Sequence, residues 1–150
     1  MGESVMEDLF RKERKQSNKR LHMVLPIPPS INSMYTLKRQ YTAKARKWFS
    51  TARALINQQI DEQHWGKPQR EEWLYIDLVF YMPDRKIRDS HNCLKILMDA
   101  LQDVVFINDY FCLPRIQSVE YDKEYPRVEV LVTHQTKNQR ERGLKMLNVL

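Results

Sequence analysis

The stretch from Asp84 to Leu101 carries more reactive side chains than a core helix needs. It reads Asp84-Arg85-Lys86-Ile87-Arg88-Asp89-Ser90-His91-Asn92-Cys93-Leu94-Lys95-Ile96-Leu97-Met98-Asp99-Ala100-Leu101. If Ser90 opens a helix, Asp89, Asn92, Lys95 and Asp99 step by three, three and four and share one face. Leu94, Leu97, Met98 and Leu101 then form the opposite, apolar stripe that lies on a core. With Asp109, four carboxylates in and just beyond this stretch are candidates: Asp84, Asp89, Asp99 and Asp109. Carboxylate oxygens are hard ligands and suit Mg²⁺, which keeps several waters and uses few protein ligands. Acids beside basic residues are what metal-assisted phosphodiester hydrolysis needs. The metal lowers the pKa of a water and neutralises charge on the phosphate. Lys95 is the candidate to stabilise the transition state or the leaving oxygen.

Each residue also has a plainer reading. Asp89 or Ser90 can cap the helix, and Lys95 with Asp99 is an ordinary i,i+4 surface pair. His91 can be a surface residue near the cap, and Asn108-Asp109 can simply shape a turn. Two basic groups flank the acids. Lys38, Arg39, Lys44, Arg46 and Lys47 occur without an intervening acid, and Arg85, Lys86 and Arg88 lead directly into Asp89. A solvated face accounts for the first group; the second would seat a phosphate beside the acids.

The elements that must position these residues follow from patterning. Leu21–Leu25 is a short strand stopped by Pro26-Ile27-Pro28-Pro29-Ser30, since prolines cannot continue a helix or donate to a sheet. Trp48, Ala52, Leu55, Ile56 and Ile60 predict a helix over Ala43–Gln63, ended by Gly66 and Pro68. Trp73–Met82 alternates as a strand, and Pro83 breaks it. The site helix is expected over Ser90–Asp103, followed by an irregular connection from Phe106 to Pro114. Arg115–Tyr121 and Arg127–Thr133 read as a hairpin. His134–Leu150 begins polar and ends with Leu144, Met146, Leu147 and Leu150, a helix able to pack on the body or a partner. The order β, α, β, α, β, β predicts an α/β (α+β) domain: a small mixed sheet packed with two main helices. The expected organisation is a charged arm over 1–20, a domain over 21–133 and a tail over 134–150.

Composition sets the class. A chain of 150 residues with 42% apolar and 29% charged residues fits one soluble domain. No apolar run approaches a bilayer's thickness and no signal-peptide core is visible, so no membrane partner is expected. A net charge of +6 favours an anionic partner, and nucleic acid is the one expected. The two cysteines, Cys93 and Cys112, read as buried free thiols in a reducing cytoplasm.

Two separated motifs resemble the RusA family of Holliday-junction resolvases, small dimeric Mg²⁺-dependent endonucleases of phages and prophages. The first is Leu25-Pro26-Ile27-Pro28-Pro29-Ser30-Ile31-Asn32-Ser33-Met34-Tyr35, similar to the family's proline-rich loop. The second runs from Met82-Pro83-Asp84-Arg85 through Asp89, Asn92, Lys95 and Asp99-Ala100-Leu101 to Asn108-Asp109. The resemblance covers roughly 21–133. It implies that Asp89 and Asp109 are metal-binding carboxylates and Lys95 the catalytic lysine, with Asn92, Asp99 and Asn108 in support. The chain departs from the pattern at His91, where the family has a second Asp, and at Asn108, which replaces the first of two acids. Imidazole is a poorer ligand than carboxylate for Mg²⁺ but a good one for Mn²⁺. His91 is thus open to three roles: metal ligand, general base, or mark of a weakened site.

The reading is an Mg²⁺-dependent endonuclease (Mn²⁺ as the alternative ion) that cuts branched DNA as a cytoplasmic homodimer. Asp89, His91 and Asp109 are the expected metal set. Asn32, Lys38, Arg39, Lys44, Lys47, Arg85, Lys86 and Arg88 are the expected DNA contacts. Its rivals are a junction-binding protein with weak or no cleavage, and a dimeric interaction protein whose acidic stripe is plain surface.

Overall fold

The computed structural model describes residues 18–30, 35–38, 40–86 and 88–148. The charged arm therefore lies, up to residue 17, outside the described residues, as do Asn32, Arg39, Ile87 and Leu150. The strands are β1 (Arg20–Leu25), β2 (Leu74–Met82), β3 (Cys112–Tyr121) and β4 (Arg127–His134). The α-helices among the described residues are α1 (Ala43–Gln63), α2 (Leu94–Leu101) and α3 (Lys137–Met146), with 3₁₀ turns at Ser90–Cys93 and Asp109–Phe111.

Alternation decides which strand face is inside. Leu21, Met23 and Leu25, then Ile76, Leu78 and Phe80, then Val128, Val130 and Val132 are all buried on one face of the sheet. Ala45, Trp48, Ala52 and Ile56 of α1 pack onto that face, and so do Ile96, Leu97, Ala100 and Leu101 of α2. The other face is held by polar stacking. The Arg115 guanidinium lies 3.5 Å from the Tyr75 ring centroid and that of Arg127 3.8 Å from Tyr81. The fold is α+β, a mixed four-stranded sheet with α1 and α2 on one side.

The sheet order is β1-β4-β2-β3, with β2 parallel to β3 and antiparallel to β4. The expected hairpin of β3 with β4 is therefore wrong. The segment after β3 reverses the chain, and Asp122 N–H bonds to Met82 O at 2.8 Å across the end of β2. The strand inserted between them is the more apolar β2. Strand β3, with Pro114 and a mostly exposed pattern, takes the edge, where a missing donor costs least. The opposite edge is covered by α1. The Gln59 amide accepts from Val24 N–H (2.7 Å) and donates to Val24 O (3.1 Å). The Gln63 amide does the same for His22, at 2.9 and 2.6 Å. Two glutamines one helical turn apart thus stand in for a neighbouring strand.

Helix α1 spans the expected residues, capped by Thr42, whose side chain accepts from Ala45 N–H. It ends before Gly66, because His64 adopts the left-handed conformation (φ 55°) and caps the last turn. The site helix is shorter than Ser90–Asp103. Its first turn is 3₁₀, and Gln102 is extended with Asp103 left-handed at φ 69°. Cys112 opens β3 rather than lying in a loop. Helix α3 exists, but none of its described residues is buried, and Met146 and Leu147 stay exposed.

Leu97 is fully buried at the helix–sheet contact. Leu97→Ala is expected to cost about 2–5 kcal/mol in urea unfolding. An unchanged midpoint would show that α2 is not anchored by its apolar face.

Candidate active site

Asp89 stands at the N-cap position of the Ser90–Cys93 turn, yet its carboxylate makes no capping bond there. The 3₁₀ period brings i and i+3 into line. Asn92 accordingly donates its backbone N–H to Asp89 O (3.1 Å) and points its amide at Asp89 Oδ2 (3.5 Å). Asp89 is exposed and takes part in no ion pair among the described residues. The capping explanation for this acid is therefore not realised.

One turn further on, Lys95 Nζ reaches Asp99 Oδ1 at 3.1 Å. Asp99 is not merely half of a surface pair. Its other oxygen accepts from the Tyr41 hydroxyl at 2.6 Å, and its side chain is 23% exposed. Burial, then the bond to Asp99, pushes the Tyr41 phenol well above its ordinary value, so Tyr41 remains a donor. The same carboxylate, by hydrogen bond and then by charge, raises the Lys95 ammonium above its ordinary value. Arg53 of α1 closes the other end of α2. Its Nε donates to Ala100 O (2.8 Å), and its Nη2 donates to Asp99 O (3.1 Å) and Gln102 O (2.8 Å). These are last-turn carbonyls that lack helical partners.

The proline-rich loop, more than 50 residues away in sequence, meets this turn in space. Pro28, Pro29 and Ser30 share a cleft of ≈550 Å³ with Lys44, Asp89 and Asn92. Trp48 Nε1 holds Pro26 O at 2.9 Å, and the Cys93 thiol faces Pro28 O at 3.6 Å. Those two contacts bind the loop to α1 and to the site turn. Asp109 approaches from the far end of the crossover, near enough for its charge to act on both Lys95 and Cys112. Asn108 caps the 3₁₀ turn there, its Oδ1 accepting from Tyr110 N–H at 2.9 Å, so it shapes the turn. The Asp109 carboxylate is exposed and, among the described residues, forms no ion pair.

His91 is exposed, and among the described residues no three His, Cys, Asp or Glu side chains converge to hold a metal ion. The expected set of Asp89, His91 and Asp109 is thus not gathered into one cluster. The thiols are free and protonated: burial raises Cys93, and burial with the Asp109 charge pushes Cys112 up to about 12. Among the basic residues, Lys44 lines the cleft, and Lys38, Lys47, Arg85 and Lys86 are exposed. Arg88 lines the cleft as well but is engaged by an acid. Its guanidinium grips Asp84 at 2.6 and 2.9 Å, which, with the Lys86 N–H, holds that carboxyl down at about 2. Tyr41 and Arg53 escape sequence reasoning. The one available signal was an arginine placed beside the apolar stripe of α1, one turn from Phe49.

Residues 26–133 of the chain match the protein family described as endodeoxyribonuclease RusA, a span that includes the proline-rich loop and the whole of the site. No curated protein matches the chain.

Arg53→Met is expected to destabilise the protein by roughly 1.5–3 kcal/mol, with faster amide exchange in the last turn of α2. Arg53→Lys should not restore it, because a single ammonium nitrogen cannot reproduce the planar fork that places Nε on Ala100 O and Nη2 on Asp99 O and Gln102 O. Wild-type exchange in Arg53→Met would remove the guanidinium from this role.

Proposed function

The chain belongs to the RusA endodeoxyribonuclease family, whose members act as Holliday-junction resolvases, and from that premise we propose that it cuts four-way DNA junctions by Mg²⁺-dependent phosphodiester hydrolysis. The observation that carries this reading is the cleft in which the proline-rich loop, Lys44, Asp89 and Asn92 meet. Resolvases of this type are divalent-metal dependent, and the donors present fit a hard cation. Asp89 and Asp109 offer exposed carboxylate oxygens that no cationic side chain among the described residues takes up. Mg²⁺ needs only one or two such carboxylates beside waters and phosphate oxygens, so a cluster of three side chains is not required. The ion, when bound, would activate a water and offset charge on the scissile phosphate.

The remaining work falls to the chain's own groups. Asn92 steadies the Asp89 carboxylate. Lys95, kept protonated by Asp99, offers a fixed ammonium to a phosphate oxygen as charge develops there. Tyr41 clamps Asp99 so that the lysine is held from below. Lys44, with Arg85 and Lys86 on the neighbouring loop, would bind flanking phosphates and orient the strand. Paired, symmetric cuts across a junction need two sites related by a two-fold axis, which a homodimer would supply. No described helix is long and apolar enough to cross a membrane; a cytoplasmic, phage- or prophage-type setting fits two unpaired cysteines.

His91, standing where the family has an acid, favours a second reading: a junction-binding protein with a weakened metal site. Titrating Mg²⁺ and Mn²⁺ against a synthetic four-way junction separates the two. Nicking under either ion supports the resolvase, whereas tight binding without nicking under both supports the rival. Asp89→Asn should reduce cleavage at least 100-fold, an order typical for loss of a group that stabilises the transition state, while junction affinity stays near wild type. Equal cleavage by both proteins would sink the assignment of Asp89.

Lys95 acts here as its protonated form, and its folded pKa is raised. Cleavage should therefore persist into the alkaline range and fall only above the ordinary lysine value. Asp99→Asn removes the cause of the shift, so that alkaline limb should move to lower pH. An unmoved limb in the pH–rate profile would separate Lys95 from the rate.

A further inference from the structure

Asp109 is followed directly by two aromatic residues in the turn that leads into β3. Tyr110 is 69% exposed, and Trp73, next to the start of β2, is 39% exposed. The Tyr110 ring stands edge-on to Phe111 at 5.0 Å between centroids and tilted to Trp73 at 5.7 Å. Phe111 is in turn edge-on to Trp73 at 5.3 Å. Each ring thus braces the other two at favourable aromatic separations. The backbone beneath is fixed as well, through Tyr110 N–H on Asn108 Oδ1. A braced, largely uncovered aromatic surface lies one residue from a candidate metal ligand, and core packing does not account for it. Single exposed apolar residues are ordinary; a contiguous rigid set marks a binding surface.

We propose that Tyr110, backed by Phe111 and Trp73, is a stacking platform for a nucleobase of the branched DNA next to the phosphate being cut. This rests on the resolvase reading above. Tyr110 follows Asp109 directly in the chain, so a base on its ring would lie near a phosphate held at Asp109. Stacking tolerates any sequence, since every base has a π-face. It also selects for branches, because a base whose stack is already interrupted costs least to displace. Beside the rings opens a recess of ≈280 Å³ lined by Leu74, Phe106, Ile107 and Phe111, of a size for one ring system. Arg70, Glu71 and Glu72 line it too, the Glu72 carboxylate being bonded to His134 Nδ1 at 2.7 Å. Glu71 can accept from a base's exocyclic amine, and the apolar walls suit a ring more than a sugar–phosphate backbone.

The test uses the full chain and a four-way junction carrying 5-iodouracil at the branch point, irradiated in Ca²⁺, with adducts mapped by mass spectrometry. The expected result is an adduct at Tyr110. Tyr110→Ala should lose it and bind the junction roughly 5- to 100-fold more weakly, with thermal unfolding lowered only by the loss of its two ring contacts and the protein folded at the assay temperature. Tyr110→Trp should keep wild-type affinity. No adduct at Tyr110 together with wild-type affinity in Tyr110→Ala overturns the platform. So does sedimentation in which Tyr110→Ala turns a dimer into a monomer, since the patch would then belong to a second copy. Cleavage of the unmodified junction in Mg²⁺ or Mn²⁺ is scored separately. An adduct without cleavage counts against the resolvase reading and for the platform.

Discussion

The arrangement of the site depends on the tie between Arg53 and the end of α2. That helix has eight residues, far below the length at which a helix holds itself together in water. No side-chain hydrogen bond caps its start. Its stability must come from outside, from the burial of Ile96, Leu97, Ala100 and Leu101 and from the guanidinium on its terminal carbonyls. Both supports come from the layer that α1 completes. Helix α1 is itself secured at two places, by Trp48 on the proline-rich loop and by Gln59 and Gln63 on the free edge of β1. The orientation of Lys95 and Asp99 is thus inherited from α1 and the sheet.

The acids divide into two kinds by what surrounds them. Asp77 is gripped by Arg115 at 2.7 and 2.8 Å, Asp84 by Arg88, and Asp99 by Lys95 and Tyr41. Such carboxylates are bound by side-chain donors on both oxygens or by a cation, and serve to hold loops and side chains in place. Asp89 and Asp109 are exposed and outside every ion pair among the described residues. An open carboxylate does little for stability, and it is the kind of group a hard cation can take without displacing a structural partner. Spacing in the sequence draws only part of this line: it offers the i,i+4 pairs of Asp84 and Asp99, but not Arg115 on Asp77 or Tyr41 on Asp99.

Legibility followed the range of the interactions. The extent of α1 was readable from apolar spacing, and β2 from clean alternation; both signals are local. The pairing of β3 was not, because neighbour choice is settled by which strands bury both faces of their ladder, and β2 outcompeted β3 for the place beside β4. The early stop of the site helix, with Gln102 extended and Asp103 left-handed, came from residues other than glycine, which carry no strong sequence mark. Among site residues, the types and order of Asp89, Asn92, Lys95 and Asp99 were visible along one stripe. Tyr41 lies 58 residues from its partner Asp99 and Arg53 up to 49 from its own, so neither could be paired with the site by inspection.

By itself, the sequence determined the local elements, the supply of acids and bases in one short segment, and the family motifs that both sides of the cleft carry. These are consequences of side-chain periodicity and composition, which act over a turn or two of chain. Only the tertiary structure decided that Arg115 holds Asp77 and that Tyr41 joins Lys95 on Asp99, while Asp89 and Asp109 stay open. It also decided that His91 does not gather with Asp89 and Asp109, and that Tyr110 stands uncovered beside one of them. Those outcomes depend on groups brought together through the sheet and α1 from distant positions. Short-range pattern holds no record of such distances.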